Sequence, residues 1–209
     1  MSEIEESLNF DKNFWDKGFY PLAGVDEVGR GALFGPVVAA AVVILKDREI
    51  PFFCDSKSIS AKKREKLFEE LAEKGHQFSV GVVDAEEIDK TNILKATLKA
   101  MQMALEGLKC VPSLALVDGN SKPQLKCKVE TVVRGDKLSL SIGAASIVAK
   151  VLRDRMIEEL DEKYPGYGLK KNKGYGTKEH IEALLKMGPT PLHRKTFKPV
   201  SEIDGCLWH

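Results

Sequence analysis

The run "AGVDEVGRGALFGPVVAAAVVI" (23–44) is apolar or glycine almost throughout, yet Asp26 and Glu27 stand side by side within it. Taking two neighbouring carboxylates out of water is costly unless something positive meets them. Arg30, a metal ion, or plain exposure of the pair are the three ways out. Two more acids occupy comparable places: Asp118 closes "SLALVD" before Gly119-Asn120, and Asp136 follows "KVETVVRG". Taken singly, each has an ordinary reading, because Asp-Gly-Asn and Gly-Asp are common turn sequences. Taken together, all four are carboxylates at or near strand ends. Carboxylates sharing a crevice raise one another's pKa unless cations compensate, and Arg30 cannot neutralise four. Hard cations can. Mg2+ takes carboxylate oxygens, water and substrate phosphate, and two ions about 3.5–4 Å apart form the usual clamp for phosphodiester cleavage. A ligand set without Cys or His argues against zinc and copper.

The elements that must position these acids follow from apolar periodicity. Strands are expected at 21–28, 36–45, 76–83, 112–120 and 128–136, with short early connections that make the first three antiparallel neighbours. Helices are expected at 60–75, opening on Ser60, and at 84–108, opening on the Asp84/Glu87 capping box. Two more follow at 141–166, with small residues through its first half, and at 177–188, capped by Thr177. If the first, fourth and fifth strands run parallel and adjacent, their carboxyl ends converge on one crevice. Adjacent residues of a regular strand face opposite ways, so Asp26 and Glu27 share a site only through a bulge or strand exit. Gly29 and Gly31 allow either. The pattern is α/β with a mixed sheet: an N-terminal extension (1–20), a catalytic core (21–165), and a basic helical C-terminal segment (166–209) packed on it.

Composition narrows the class. At 209 residues and 43% hydrophobic, the chain buries one core. It has no long uncharged apolar run and no basic-then-apolar start, so no membrane span or signal peptide is expected and the cytoplasm is the default. Cys54, Cys110, Cys127 and Cys206 lack zinc-finger spacing and read as reduced thiols. The net charge of +1 conceals an asymmetry: residues 163–200 hold nine Lys/Arg against two acids, interleaved with aromatics, His180 and His193. That favours a polyanion surface, with both histidines solvated or touching phosphate. The spacing of "GRGALFG" is not the dinucleotide GxGxxG, and neither a GxSxG elbow nor a P-loop occurs.

At these residues the chain resembles the ribonuclease HII (type 2 ribonuclease H) family. "GVDEVGRG" (24–31) is similar to its opening signature, and "DSK" (55–57), "DGN" (118–120), "GD" (135–136), "AASIVAKVLRDR" (144–155) and "KGYGT" (173–177) follow in family order. The resemblance implies a ribonuclease H-like fold, a five-stranded mixed sheet flanked by helices with a helical C-terminal segment. It implies that Asp26, Glu27, Asp118 and Asp136 are the catalytic carboxylates, holding two Mg2+ or Mn2+ ions. Gly29-Arg30-Gly31 would grip the ribonucleotide, Tyr175 would stack on the following sugar, and Lys57 would bind substrate. Lys150, Arg153, Lys173 and Arg194 are charge-based candidates for phosphate contact. The implied reaction is cleavage of RNA in RNA–DNA hybrids, and at single ribonucleotides in duplex DNA, leaving 3′-hydroxyl and 5′-phosphate ends. A monomer is the default, because no coiled-coil heptads occur. Arg30, where the sibling ribonuclease HIII family carries Lys, favours HII. Ala32, Phe34, Ser58 and Gly143 depart from the usual HII pattern without removing a carboxylate. A non-catalytic RNA binder and a metal-dependent DNA nuclease or phosphatase are the competing readings.

Overall fold

The computed structural model describes residues 3–50 and 59–204. The chain begins with helix α1 (Glu3–Asp16), then pairs β1 (Leu22–Val28) with β2 (Val37–Val43) antiparallel. Helix α2 (Ala61–Glu73) leads into β3 (Gln77–Val83), which adds antiparallel to β2. Helices α3 (Ala85–Lys90) and α4 (Ile93–Glu106) cross over to β4 (Leu114–Asp118), parallel to β1, and β5 (Lys128–Val132) lies parallel to β4. One turn, α5 (Gly135–Leu138), precedes the long α6 (Leu140–Lys163). Short helices α7 (Leu169–Asn172), α8 (Lys178–Met187) and α9 (Val200–Asp204) follow. The sheet order is β3-β2-β1-β4-β5, five strands of mixed direction as expected.

Every residue of the interior strand β2, "VVAAAVV", is buried, because helices cover both faces of the sheet. Leu22, Ala40, Val42, Leu114 and Leu116 pack against α6 (Ile147, Val148, Val151) and α2 (Leu67, Leu71). On the opposite face, Ala23, Val25, Ala39, Ala41 and Val117 meet Ala96, Ala100, Met101 and Ala104 of α4. Helix α6 lies so close to β1 that a Cβ at Gly24 would overlap the backbone of Ser141 and Ile142. The small residues in its first half allow that approach. A third cluster, Leu33, Phe34, Ile157, Tyr167, Leu169, Leu184, Val200 and Ile203, fastens the C-terminal helices to the loop after β1.

Three boundaries differ from the sequence expectation. The segment expected at 84–108 as one helix breaks at Thr91-Asn92, where the Asn92 side chain accepts Lys95 N–H at 2.9 Å and caps a second helix. The fifth strand stops at Val132, and Arg134 in the left-handed region (φ 58°) turns Gly135-Asp136 into the one-turn helix α5. The expected N-terminal extension contains α1, which packs Trp15 into the α6-side core with Leu8, Phe10 and Phe14 against it. Buried Asp11 of α1 accepts Ser139 Oγ–H at 2.6 Å, Ser141 N–H at 2.8 Å and the Ser141 hydroxyl, tying α1 to the start of α6.

Candidate active site

Val25 lies beside Val117 in the parallel β1–β4 pair, so Asp26 and Asp118, one residue on, reach the same end of the sheet. Both belong to the α6 face by alternation, and Ser146 of α6 donates a hydrogen bond to the Asp26 carboxylate. Asp136 sits in the first turn of α5, and Asp118 Oδ1 accepts the neighbouring Gly135 N–H at 2.6 Å. Strand β1 stays regular through Glu27, which pairs with Ala39 on the other face. No bulge occurs at the acid pair. The chain instead leaves the sheet after Val28, turning at Gly29 (φ +90°), and Glu27 lines one pocket with Asp26, Val28, Arg64, Ser146, Lys150 and Tyr175. A strand exit, not a distortion, brings the two acids to one opening.

The electrostatics record crowding. Burial, with the charges of Glu27 and Asp118, pushes Asp26 up to about 8 against the Ser146 hydrogen bond. Glu27 is raised by burial and by Asp118, opposed by Arg30, whose Nη1 stands 3.1 Å from Oε1. Burial also raises Asp118, with Asp136 adding to it and the Gly135 N–H opposing. Arg30 is a cation held against Glu27, and its side chain is half exposed. The question of the acids' positive partner thus has a partial answer: Arg30 meets Glu27, and Asp26 is left to neutral donors.

The all-carboxylate donor set suits Mg2+ or Mn2+. Among the described residues, no three His, Cys, Asp or Glu side chains are drawn close enough together to hold an ion between them. Their own hydrogen bonds account for this: Asp26 Oδ1 takes the Glu27 N–H at 2.7 Å, Asp118 Oδ1 faces Gly135 N, and Glu27 faces Arg30. All four are oxygen donors, and that donor chemistry fits a hard cation.

Several basic candidates fall elsewhere. Arg153 and Arg194 are fully buried and not phosphate contacts in this structure. Arg153 donates to the carbonyls of Pro36 (3.0 Å), Lys173 (2.9 Å) and Phe34 (3.2 Å), and Arg194 to those of Gly35 (3.0 Å) and Arg30 (2.9 Å). A Cβ at Gly29 would overlap Arg153 Nε. These guanidiniums therefore staple the loop after β1 to the segment around Tyr175. His180 and His193, expected in solvent or on phosphate, are buried against each other. Lys150 lines the pocket while pairing with Asp154 at 2.7 Å, and Lys173 pairs with Glu158. Lys57 lies outside the described residues. Tyr175 lines the pocket with the Arg153 guanidinium 5.5 Å from its ring centroid. Sequence reasoning passed over Ser146 and Arg64. Ser146 looked like one more small residue of α6, and Arg64 sits in a charged helix whose bases read as a solvated face.

Known proteins share this architecture. A model of the ribonuclease HII family matches residues 23–200. Ribonuclease HII of Endomicrobium trichonymphae is 54% identical over 197 residues, 94% of each chain. The crystal structure of ribonuclease H2 from Pyrococcus horikoshii OT3 superposes with a TM-score of 0.71 at 29% identity, covering 88% of this chain and 97% of that one. Bst-RNase HIII in complex with Mn2+ shares the fold alone, with a TM-score of 0.68 at 18% identity over 88% of this chain and 69% of its own. With the family pattern running from β1 to α9 and a relative more than half identical across nearly the whole length, the chain belongs to the ribonuclease HII family.

Proposed function

We propose that the pocket around Asp26 and Glu27 is where this chain carries out the ribonuclease HII reaction, the hydrolysis of RNA in RNA–DNA hybrids. Asp26, Glu27, Asp118 and Asp136 hold two divalent ions, Mg2+ or Mn2+, and single ribonucleotides in duplex DNA are cut as well, leaving 3′-hydroxyl and 5′-phosphate ends. The observation that carries this reading is the buried Asp26 carboxylate. It is pushed up to about 8 beside two further acids, with no cation of its own. Such a group weakens the fold unless a cation meets it, and divalent ions held by these carboxylates would supply both the neutralisation and the activation of water for phosphodiester hydrolysis.

The chain's own residues then have distinct tasks. Ser146 and the Glu27 N–H fix the Asp26 carboxyl, and the Gly135 N–H fixes that of Asp118. Arg30 tempers Glu27 and, half exposed, can turn to a substrate phosphate as a bidentate donor. A Cβ at Gly31 would meet nothing within 4 Å, so packing does not demand glycine there. Its openness leaves the backbone accessible to a 2′-hydroxyl, the group that separates RNA from DNA at one position. Tyr175, backed by Arg153, offers a flat ring at the same pocket for the sugar that follows.

The test uses three duplexes with Mg2+ or Mn2+: an RNA–DNA hybrid, a DNA duplex carrying one ribonucleotide, and an all-DNA control. The first two are cut and the third is not. Asp118→Asn loses cleavage by roughly 100-fold or more while its circular dichroism is unchanged. Equal cutting of the all-DNA control overturns the ribonucleotide-reading role, and an active Asp118→Asn protein removes that residue from the site.

A further inference from the structure

His180 and His193 are both fully buried, with their Nε2 atoms 3.1 Å apart. Their partners determine where each proton sits. The Thr190 N–H points at His193 Nδ1 at 2.9 Å and can only donate, so Nδ1 is bare, and the Thr190 hydroxyl, also 2.9 Å away and itself accepting the Leu192 N–H, donates to it as well. Neutral His193 therefore carries its proton on Nε2 and donates it to His180 Nε2. His180 is then protonated on Nδ1, which lies 2.9 Å from the Tyr175 carbonyl, an acceptor. All four ring nitrogens are used in a single direction, from Thr190 through two imidazoles to Tyr175. A further proton on His180 would set two N–H groups head to head, and one on His193 would face the Thr190 N–H.

The surroundings hold the pair in that state. The Phe34 ring meets His193 edge-on at 4.9 Å, and Tyr167 packs on both rings at 5.0 and 6.2 Å. Tyr167 spends its hydroxyl on the Gly188 carbonyl at 2.7 Å. Arg194, next in the chain, turns to the Gly35 and Arg30 carbonyls, while Lys178, Glu179 and Glu182 of α8 pair at the surface. Burial lowers both histidines below the ordinary imidazole range, and for His193 the neighbouring His180 adds to it.

We propose that this imidazole pair is a positioning device for substrate reading. By ordering its protons it fixes the Tyr175 carbonyl, and with it the ring at the catalytic pocket. The Tyr175 carbonyl also accepts the Thr177 N–H at 2.8 Å, so two donors set its direction. Leu33 and Phe34 N–H both donate to the Gly174 carbonyl next door, at 2.8 and 3.2 Å, so the loop after β1 is set by the same junction. The inference rests on Tyr175 reading the nucleotide after the ribose, as argued above.

Two measurements test it. In the free wild-type protein, nitrogen-15 NMR of the imidazoles reads the tautomers directly. The expected result is a δ-protonated His180 and an ε-protonated His193, both neutral at pH 7 and neither titrating at the ordinary imidazole value. An ε-protonated His180, or either ring titrating near pH 6.5, overturns the inference even if no variant folds. The second measurement is discrimination between a single-ribonucleotide duplex and one with a ribose also at the next position. His180→Phe, which has no donor, lowers discrimination roughly five- to tenfold, the worth of one oriented hydrogen bond. His180→Asn, which keeps a donor near the Nδ1 position, restores most of it, and His180→Phe has no further effect in a Tyr175→Ala background. Multiplying losses in the double variant, or full discrimination in the Phe variant, overturns the inference while leaving Tyr175 in place. An unchanged Tyr175→Ala protein instead overturns the reading of Tyr175, and the inference falls with it.

Discussion

Replacing Asp26 with Asn should stabilise the metal-free protein by an amount that depends on pH. The amide is nearly isosteric and keeps an acceptor for the Glu27 N–H, so geometry changes little while the buried charge disappears. In the folded chain Asp26 is pushed up to about 8 from an ordinary 3.8. Between those values the folded chain holds a proton that the unfolded chain has released, so stability falls as pH rises. At pH 7, roughly three units above the unfolded value, the loss is about 4 kcal/mol at 1.36 kcal/mol per unit. The Asp26→Asn protein escapes it. Urea denaturation in EDTA at pH 4.5, 5.5, 6.5 and 7.5 should show the two proteins diverging by about 1 kcal/mol per unit, the variant being the more stable at the alkaline end. The difference curve belongs to Asp26 together with its coupling to Glu27 and Asp118. Adding Mg2+ or Mn2+ should narrow the gap by raising wild-type stability while leaving the variant inactive. A gain that stays constant across this range within about 0.5 kcal/mol would refute the claim that the Asp26 carboxylate is held against its preference for water.

Gly29→Ala should cost on the order of 3 kcal/mol, because φ +90° strains an alanine and its Cβ would sit on Arg153, with Cδ and Cζ each 2.8 Å away. Three carbonyls hold that guanidinium, so it cannot simply swing aside; a thermal scan showing a loss under about 1 kcal/mol would contradict this account. Asp11→Ala removes the acceptor for two serine hydroxyls and one backbone N–H, and should cost about 2–4 kcal/mol in denaturant unfolding. A near-neutral result would mean that α1 does not brace the start of α6.

The sheet was largely readable because its strands are short, apolar and separated by distinct turns, and because β1, β4 and β5 each end close to an acid. The helix α1 was not, since an acidic stretch with five acids in its first sixteen residues reads only as an N-terminal extension, while Leu8, Asp11 and Trp15 face inward. Asp11 is the instructive member: its inward turn is explained only by Ser139 and Ser141, far away in sequence. The two histidines were misplaced for a related reason. Interleaved with lysines, they looked like part of a basic surface, whereas helix α8 presents His180 and Leu184 inward and its charges outward.

The buried arginines carry the argument about charge furthest. Arg153 and Arg194 are as completely enclosed as any core leucine, and neither is paired with a carboxylate. Burial lowers both, Arg194 to about 9, with the charge of Arg153 adding to the shift at Arg194. Asp26 lies only three residues before Gly29, the residue packed against Arg153, and would be the obvious counter-charge. The loop from Gly29 to Pro36 instead meets the guanidiniums with neutral carbonyl oxygens, while Asp26 and Asp118 are met by neutral N–H groups and a hydroxyl and only Glu27 faces a cation, Arg30. A direct salt bridge would relieve both, but it would consume the carboxylates that a divalent cation needs. Keeping the two signs apart stabilises the loop with one set of charges and leaves the other free to bind metal. On this account a substitution that lets Arg153 reach Asp26 gains stability and loses activity together.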